Sequence, residues 1–298
     1  MRYTEERYIS LLTDFGFKRI FGTLPNKDLL ISFLNSLFNG EEVVKDVHFL
    51  NSEHVGDVYA ERKAIFDVYC ENERGEKFIV EMQNAKQHYF KDRSLYYATF
   101  PIREQAPKGQ DWNFKLAHVY VVALLNFDMH EEAFARGSII HDVALIDKET
   151  NKVFNEKLRF KYVEVAKFNK NLDELDTLYD KWIYVLKNLA RLNKQPAHLR
   201  NAVFDHLFSE AEIASFTQTE LKEYEDSLKA YRDIKNSLDT AKDEGRAEGM
   251  AKGMAEGMAK GRVETLNKMV SEMKREGLGY DLIEKLTGLD QKDIDAIP

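Results

Sequence analysis

The chain has 298 residues, of which 44% are hydrophobic and 32% charged, with a formal net charge of −8. This length can bury a sizeable core, and the acidic balance argues against a protein that coats nucleic acid over its whole surface. The single cysteine, Cys70, excludes an internal disulfide and a cysteine-rich zinc site, and no apolar run has membrane-spanning length. We therefore expect a protein of the reducing cytoplasm that has no membrane partner.

The first fifty residues predict two helices and a strand. An apolar stripe predicts a helix over residues 6–22, and a second amphipathic pattern predicts a helix over 28–38 that ends at Asn39 and Gly40. Residues 43–50 are typical of a strand.

Two apolar stretches, 64–70 and 77–83, predict strands joined as a hairpin across a polar loop that contains one glycine. Asp67 falls in the middle of the first stretch, and Glu81 ends the apolar run of the second, with Gln83 two residues later. Since side chains on a strand alternate between faces, Glu81 and Gln83 share one face. Antiparallel pairing can bring Asp67 to that face as well.

A carboxylate inside an apolar strand is costly unless a charged partner or a metal holds it. Two carboxylates and an amide on one sheet face would form a site for a hard divalent cation. Alternatively, Arg62, Lys63 or Arg93 neutralises Asp67, and the other two groups form a polar strand end at the surface.

Residues 87–105 predict an aromatic-rich helix that Pro101 would bend or interrupt. The surrounding stretch, 86–115, carries a net charge of +3 in an otherwise acidic chain. This stretch predicts a local basic surface that contacts DNA phosphates with little sequence specificity. Its candidate contacts are Lys86, Lys91 and Arg93.

The remaining strands are predicted over residues 116–127, 138–146 and 158–168, and the pattern is helical from residue 172 onward. Residues 217–276 contain no proline and predict one long helix, followed by a helix, a turn and a last short helix.

Within the long helix, glycine recurs at every fourth position from Gly245 to Gly261. Five glycines in a helix cost about 5 kcal/mol relative to alanine, so a partner would have to offset this. One hypothesis is a homodimer in which Met250, Met254 and Met258 pack beside the bare glycine stripe. The alternative is a solvated spacer.

Several of these residues together resemble the recombination-promoting nuclease family, which belongs to the PD-(D/E)xK nucleases and is often called a transposase family. They are Asp14-x-x-Phe17-Lys18-x-x-Phe21-Gly22, Asp67, Glu81-x-Gln83, and Arg93 with Tyr96 and Tyr97. The resemblance implies an α/β, restriction-endonuclease-like core, with a mixed central sheet flanked by helices, and we add an all-helical C-terminal extension. We accordingly divide the chain into a nuclease-like core (1–170), a helical region (171–240), and a glycine-repeat helix with a small terminal helical pair (241–298).

The resemblance also implies catalytic and metal-binding roles. Asp67 matches the metal-bridging aspartate, Glu81 the second carboxylate, and Asp14 an acid near one or two Mg²⁺ ions. Gln83 stands where many relatives have lysine. Because glutamine offers hydrogen bonds but no charge, the metal would carry more of the charge stabilisation.

The charged residues of the first helix also have interpretations that involve no catalysis. Asp14 could merely favour the helix dipole, and Lys18 and Arg19 could be solvated surface charges.

We therefore expect a bacterial, Mg²⁺-dependent endonuclease that cuts double-stranded DNA with low sequence specificity. Its role would lie in recombination or mobile-element activity, and it would associate with the nucleoid when bound to DNA. The alternative is a catalytically degenerate nuclease fold that binds DNA or a protein partner through its helical tail.

Overall fold

The computed structural model describes residues 6–54, 64–106, 112–131 and 134–298. Within these ranges a central sheet is flanked by helices on both faces, as the sequence predicts for a nuclease-like α/β fold. Its strands, together with a separate short pair, are β1 (Val47–Phe49), β2 (Glu53–His54), β3 (Ala64–Ile65), β4 (Val68–Asn72), β5 (Lys77–Gln83), β6 (Val119–Leu125), β7 (Ile140–Ile146) and β8 (Val153–Glu164).

The six-stranded sheet has the order β1-β4-β5-β6-β8-β7, and β2 pairs only with β3. The strands β5, β6 and β8 run parallel, and the outer pairings are antiparallel. The predicted hairpin is confirmed, because β4 and β5 pair antiparallel with Val68 opposite Val80. Its turn contains Gly75 at φ +75°, a backbone conformation that favours glycine.

The helices of the described chain are α1 (Asp14–Phe21), α2 (Lys27–Phe38), α3 (Phe90–Glu104), α4 (Leu178–Asn188), α5 (Ala202–Glu210), α6 (Gln218–Arg275), α7 (Tyr280–Thr287) and α8 (Gln291–Ala296). One face of the sheet packs against α1, α2, α4, α5 and the start of α6, with Trp182 at the centre of that core. The other face packs against α3 through residues such as Tyr69 and Ile79. The α3 face is the one that carries the alternate residues Glu81 and Gln83.

The structure corrects four of the predicted boundaries. The first helix begins at Asp14 rather than at residue 6, because Thr13 caps it and the preceding segment pairs with a distant loop through Ile9 N–H and the Ala211 carbonyl (3.0 Å). The stretch 64–70 is not one strand: β3 pairs with β2 outside the main sheet, and Asp67 lies at the bend before β4. Pro101 lies inside α3 without interrupting it. The last strand of the sheet starts earlier and ends sooner than the predicted 158–168.

Residues Met1–Lys235 and Asn236–Pro298 form separate compact units. The second unit has a small core of Val270, Ile283, Ile294 and Ile297. As predicted, α6 is one continuous helix through the glycine repeat. A Cβ atom added at any of the repeat glycines would meet nothing within 4 Å. No helix in the described chain is both long enough and apolar enough to cross a membrane.

Candidate active site

The two predicted carboxylates meet where β4 begins and β5 ends. The pairing of Val68 with Val80 places Asp67 and Glu81 next to each other across the hairpin. The backbone N–H of Asp67 donates to Glu81 Oε1 (3.2 Å), and the backbone N–H of Met82 donates to Asp67 Oδ2 (2.8 Å). These reciprocal bonds fix both carboxylates in position, even though Asp67 is at a bend rather than within a strand.

The carboxylate pair is short of positive charge. Burial, and secondly the charge of Asp67, raise the pKa of Glu81 to about 8, and Glu81 is only 5% exposed. Burial also raises the pKa of Asp67, although the Met82 N–H and the Lys18 charge act in the opposite direction. Within the described ranges, no lysine or arginine forms a salt bridge with either carboxylate. The pair therefore retains a proton near neutral pH unless a cation replaces it.

Gln83 links the carboxylates to Arg93. Its amide nitrogen donates to Glu81 Oε2 (3.0 Å), and its amide oxygen accepts from Arg93 Nη2 (2.5 Å). The same guanidinium donates to Gln87 and lies over the rings of Phe90 and Tyr97, with Cζ 5.3 and 5.6 Å from their centroids. Arg93 is thus held by polar and aromatic contacts, and among the described residues Gln83 connects it to Glu81.

The start of α1 lies at the edge of this group. The side-chain amide of Asn84, directly after β5, donates to the carbonyl of Leu12 (2.7 Å), just before α1. Asp14 is mostly exposed and pairs with Lys18 (2.7 Å) one turn later. The charge of Lys18 opposes the effect of burial on the pKa of both buried carboxyls, whereas Asp14 adds to that effect at Asp67. As the helical acid of the site, Asp14 stays a prediction.

The structure does not bring the other predicted DNA contacts to the carboxylates. Lys86 donates to the Met129 carbonyl, and Lys91 forms an exposed salt bridge with Glu131 (2.9 Å). Both therefore attach to the segment after β6, and their role in DNA binding stays a prediction. Arg62 and Lys63, the alternative partners of Asp67, lie outside the described residues, as does Lys108 of the basic stretch.

A divalent cation fits the pair of Asp67 and Glu81 on chemical grounds. Both are carboxylates, Glu81 is buried and Asp67 half-buried, and they lie side by side without a salt bridge to a described residue. Oxygen ligands of this kind suit Mg²⁺, and the cation would remove the cost of burying two like charges.

A second group of possible ligands lies at the opposite end of β5. Ligand atoms of Glu42, Glu76 and His118 lie within 4.8 Å of one another. However, Arg74 donates to both carboxylates, at 2.6 Å in each case, and so already supplies the positive charge that a cation would bring. We therefore place the candidate cation at Asp67 and Glu81.

Lys18, which the sequence indicates only as a solvated charge, pairs with Asp14 at the edge of this group. In the sequence, a shared role with Asp14 is indicated only by the spacing of four residues, which puts both side chains on one face of α1. That spacing alone does not reveal that the face lies beside the end of β5.

Comparison with known proteins gives one result. Residues 11–241 match the PD-(D/E)XK nuclease family transposases, and this range includes every predicted site residue. No curated protein and no solved structure matches the chain.

Proposed function

The chain belongs to the PD-(D/E)XK nuclease family of transposases, and from this premise we propose that it is a Mg²⁺-dependent DNA endonuclease. The observation that carries the proposal is the pair of Asp67, half-buried, and Glu81, buried, joined by backbone hydrogen bonds and lacking a salt bridge to a described residue. A purely structural carboxylate pair would raise the cost of folding without a return in stability. Binding of a cation between the two carboxylates would offset this cost.

In this proposal the site residues have different roles in phosphodiester hydrolysis. When bound, a divalent cation neutralises phosphate charge and makes a water molecule more acidic. Asp67 and Glu81 would hold that cation, and Asp14, in the first turn of α1, is the predicted third acid. Gln83 is positioned by its bonds to Glu81 and Arg93.

We infer that duplex DNA is bound mainly through its phosphates. Arg93 lies one side chain from the carboxylates, and Lys91, whose side chain is 60% exposed, can exchange Glu131 for a phosphate. Contacts of this kind carry little sequence information. This supports low sequence specificity and association with the nucleoid during DNA binding, and a role in recombination or mobile-element activity rests on the family.

Purified protein is expected to nick and then linearise supercoiled plasmid in Mg²⁺, and to leave it intact in EDTA. Plasmids of unrelated sequence should be cut at similar rates, which gel electrophoresis over a time course would measure. Binding of DNA without cleavage at any Mg²⁺ concentration would contradict the enzyme proposal and favour the degenerate binding module.

We also propose that the glycine repeat of α6 associates with a second copy in antiparallel orientation. Glu248, Gly249 and Met250 are successive residues, each rotated by about 100°, so the glycine row lies between a charged row and a methionine row. Met250, Met254 and Met258 are 67%, 70% and 68% exposed. Exposed methionines at regular spacing favour a partner over a solvated spacer.

The charges of the repeat favour the antiparallel arrangement. With Met254 opposite its counterpart, Lys252 lies level with Glu256 of the second copy, and Glu248 lies level with Lys260. In an antiparallel pair the same flank of each helix meets its counterpart, so the charged rows face each other. A parallel, in-register pair would instead place the charged row of each helix beside the methionine row of the other, without complementary ion pairs.

Reversing one charge of this row is expected to weaken self-association of the full chain about tenfold, because it breaks two symmetry-related ion pairs and exposed pairs contribute about 0.2–1 kcal/mol each. Glu256→Lys should do so, and adding Lys252→Glu should restore association, as measured by sedimentation velocity. Glu264→Lys is the matched control: it faces Glu244 of the second copy and should strengthen association slightly. Circular dichroism would show that helix content is unchanged. A monomer at all concentrations would contradict the proposal.

A further inference from the structure

The candidate site contains a neutral amide at the position nearest the carboxylates. Hydrolysis of a phosphodiester spreads negative charge over the phosphate oxygens, and a fixed cation beside them stabilises it. Gln83 offers no charge. Arg93 has one, but Gln83, Gln87 and two aromatic rings already hold its guanidinium.

The second cation beside the carboxylates is Lys18, and its surroundings are different. Its only salt bridge among the described residues is with Asp14 (2.7 Å), and 42% of its side chain is exposed. The flexible stem of lysine can therefore swing its ammonium from Asp14 toward a bound phosphate. The side-chain amide of Asn84, directly after β5, donates to the carbonyl of Leu12 just before α1 (2.7 Å), and this bond ties the helix of Lys18 to the end of the strand that carries Glu81. The charge of Lys18 acts on both Asp67 and Glu81 from there.

The neighbouring Arg19, on the same helix, has the contacts of a cation that stabilises the fold. It bridges Glu210 and Glu220, and its guanidinium lies over the ring of Phe216 at 4.3 Å. These contacts join α1 to the helices that follow. Lys18 has no comparable network within the described residues.

We propose that Lys18 is a catalytic residue of the nuclease site, which places its ammonium on the scissile phosphate when DNA is bound. This inference rests on the proposed nuclease function. It assigns to α1 the positive charge that Gln83 does not provide, with Asp14 holding the ammonium near the site in the absence of substrate.

The competing explanation is an ordinary surface ion pair, and the chain offers a matched control for it. Lys27 also has 42% of its side chain exposed and also pairs with one aspartate, Asp46, at 2.6 Å. It lies at the start of α2. If Lys18 were only a surface pair, replacing either lysine would have the same small effect.

Lys18→Met is expected to lower the rate of plasmid cleavage at saturating Mg²⁺ by about 10²–10³-fold, the range found when one charge-stabilising donor is removed. Lys18→Arg should retain part of the activity because it keeps the charge, and Lys27→Met should cut at the wild-type rate. Melting temperatures of all variants should lie within about 2 °C of the wild type.

Metal affinity provides a readout that does not depend on cleavage. Removing a cation beside two carboxylates should tighten Mn²⁺ binding about three- to tenfold in Lys18→Met, measured by calorimetry without DNA, and leave it unchanged in Lys27→Met. A variant that binds metal more tightly and cuts more slowly separates this role from a structural one.

Wild-type cleavage by Lys18→Met would overturn the proposal, as would a joint loss of cleavage, metal binding and thermal stability. If the wild-type protein cuts no plasmid, the nuclease proposal itself fails. If the wild type is active while Lys18→Met retains full activity, only the role of Lys18 fails.

Discussion

Asp67→Asn is expected to reduce DNA cleavage by at least about 10³-fold while making the metal-free protein more stable. Loss of one of two cation ligands removes several kcal/mol of transition-state stabilisation. The asparagine oxygen can still accept from the Met82 N–H, so the local backbone is preserved. The gain in stability follows because a like charge beside Glu81 disappears.

Urea unfolding at pH 8 in EDTA should show that Asp67→Asn raises the free energy of unfolding by at least about 1 kcal/mol, which corresponds to less than one pKa unit at Glu81. Glu81→Gln should likewise abolish cleavage. The control is Asp46→Asn, which removes an exposed acid paired with Lys27 and should neither stabilise the protein nor affect cleavage. Cleavage by Asp67→Asn at the wild-type rate would place the active site elsewhere.

Affinity for Mn²⁺ or Mg²⁺ is expected to rise about 50-fold between pH 6 and pH 8 and to level off at higher pH. Burial and the charge of Asp67 raise the pKa of Glu81 to about 8, so below that pH the cation must displace a proton. Release of one proton makes affinity rise about tenfold per pH unit. Calorimetry in buffers of different ionisation enthalpy would count the proton.

The metal-free protein should show the corresponding pH dependence of stability. Between the ordinary glutamate pKa of 4.5 and the raised value of about 8, the native state keeps a proton that the unfolded chain has released. Stability from this group is therefore full below pH 4.5 and is lost as pH rises through 8. In Asp67→Asn both effects should shrink. Equal metal affinity at pH 6 and pH 8 would contradict a protonated Glu81.

The part of the site that lies on one hairpin was predictable from sequence. Alternation along β5 fixes the shared face of Glu81 and Gln83, and the single polar loop fixes the antiparallel partner of β5. These are local relations over fewer than twenty residues. The mixed sheet flanked by helices followed from the family resemblance and is confirmed.

The features that could not be predicted from the sequence depend on contacts between residues that are far apart in the chain. The bend at Asp67 arises because β3 leaves the main sheet to pair with β2. The late start of α1 reflects pairing of Ile9 with Ala211. The buried pair of His141 and Glu164, 2.8 Å apart, joins residues 23 positions apart in the chain. Periodicity within one element carries no information about such pairings.

The contact between Gln83 and Arg93 is expected to couple substitutions at the two positions. A lysine at position 83 would set a second cation against the Arg93 guanidinium, which now binds the glutamine oxygen at 2.5 Å. The effect of replacing Gln83 by lysine therefore depends on whether Arg93 is present, and the effect of replacing Arg93 depends on the residue at position 83. Homologues that carry lysine at the first position should therefore tend to have exchanged the arginine at the second, and the pair would be inherited as a unit.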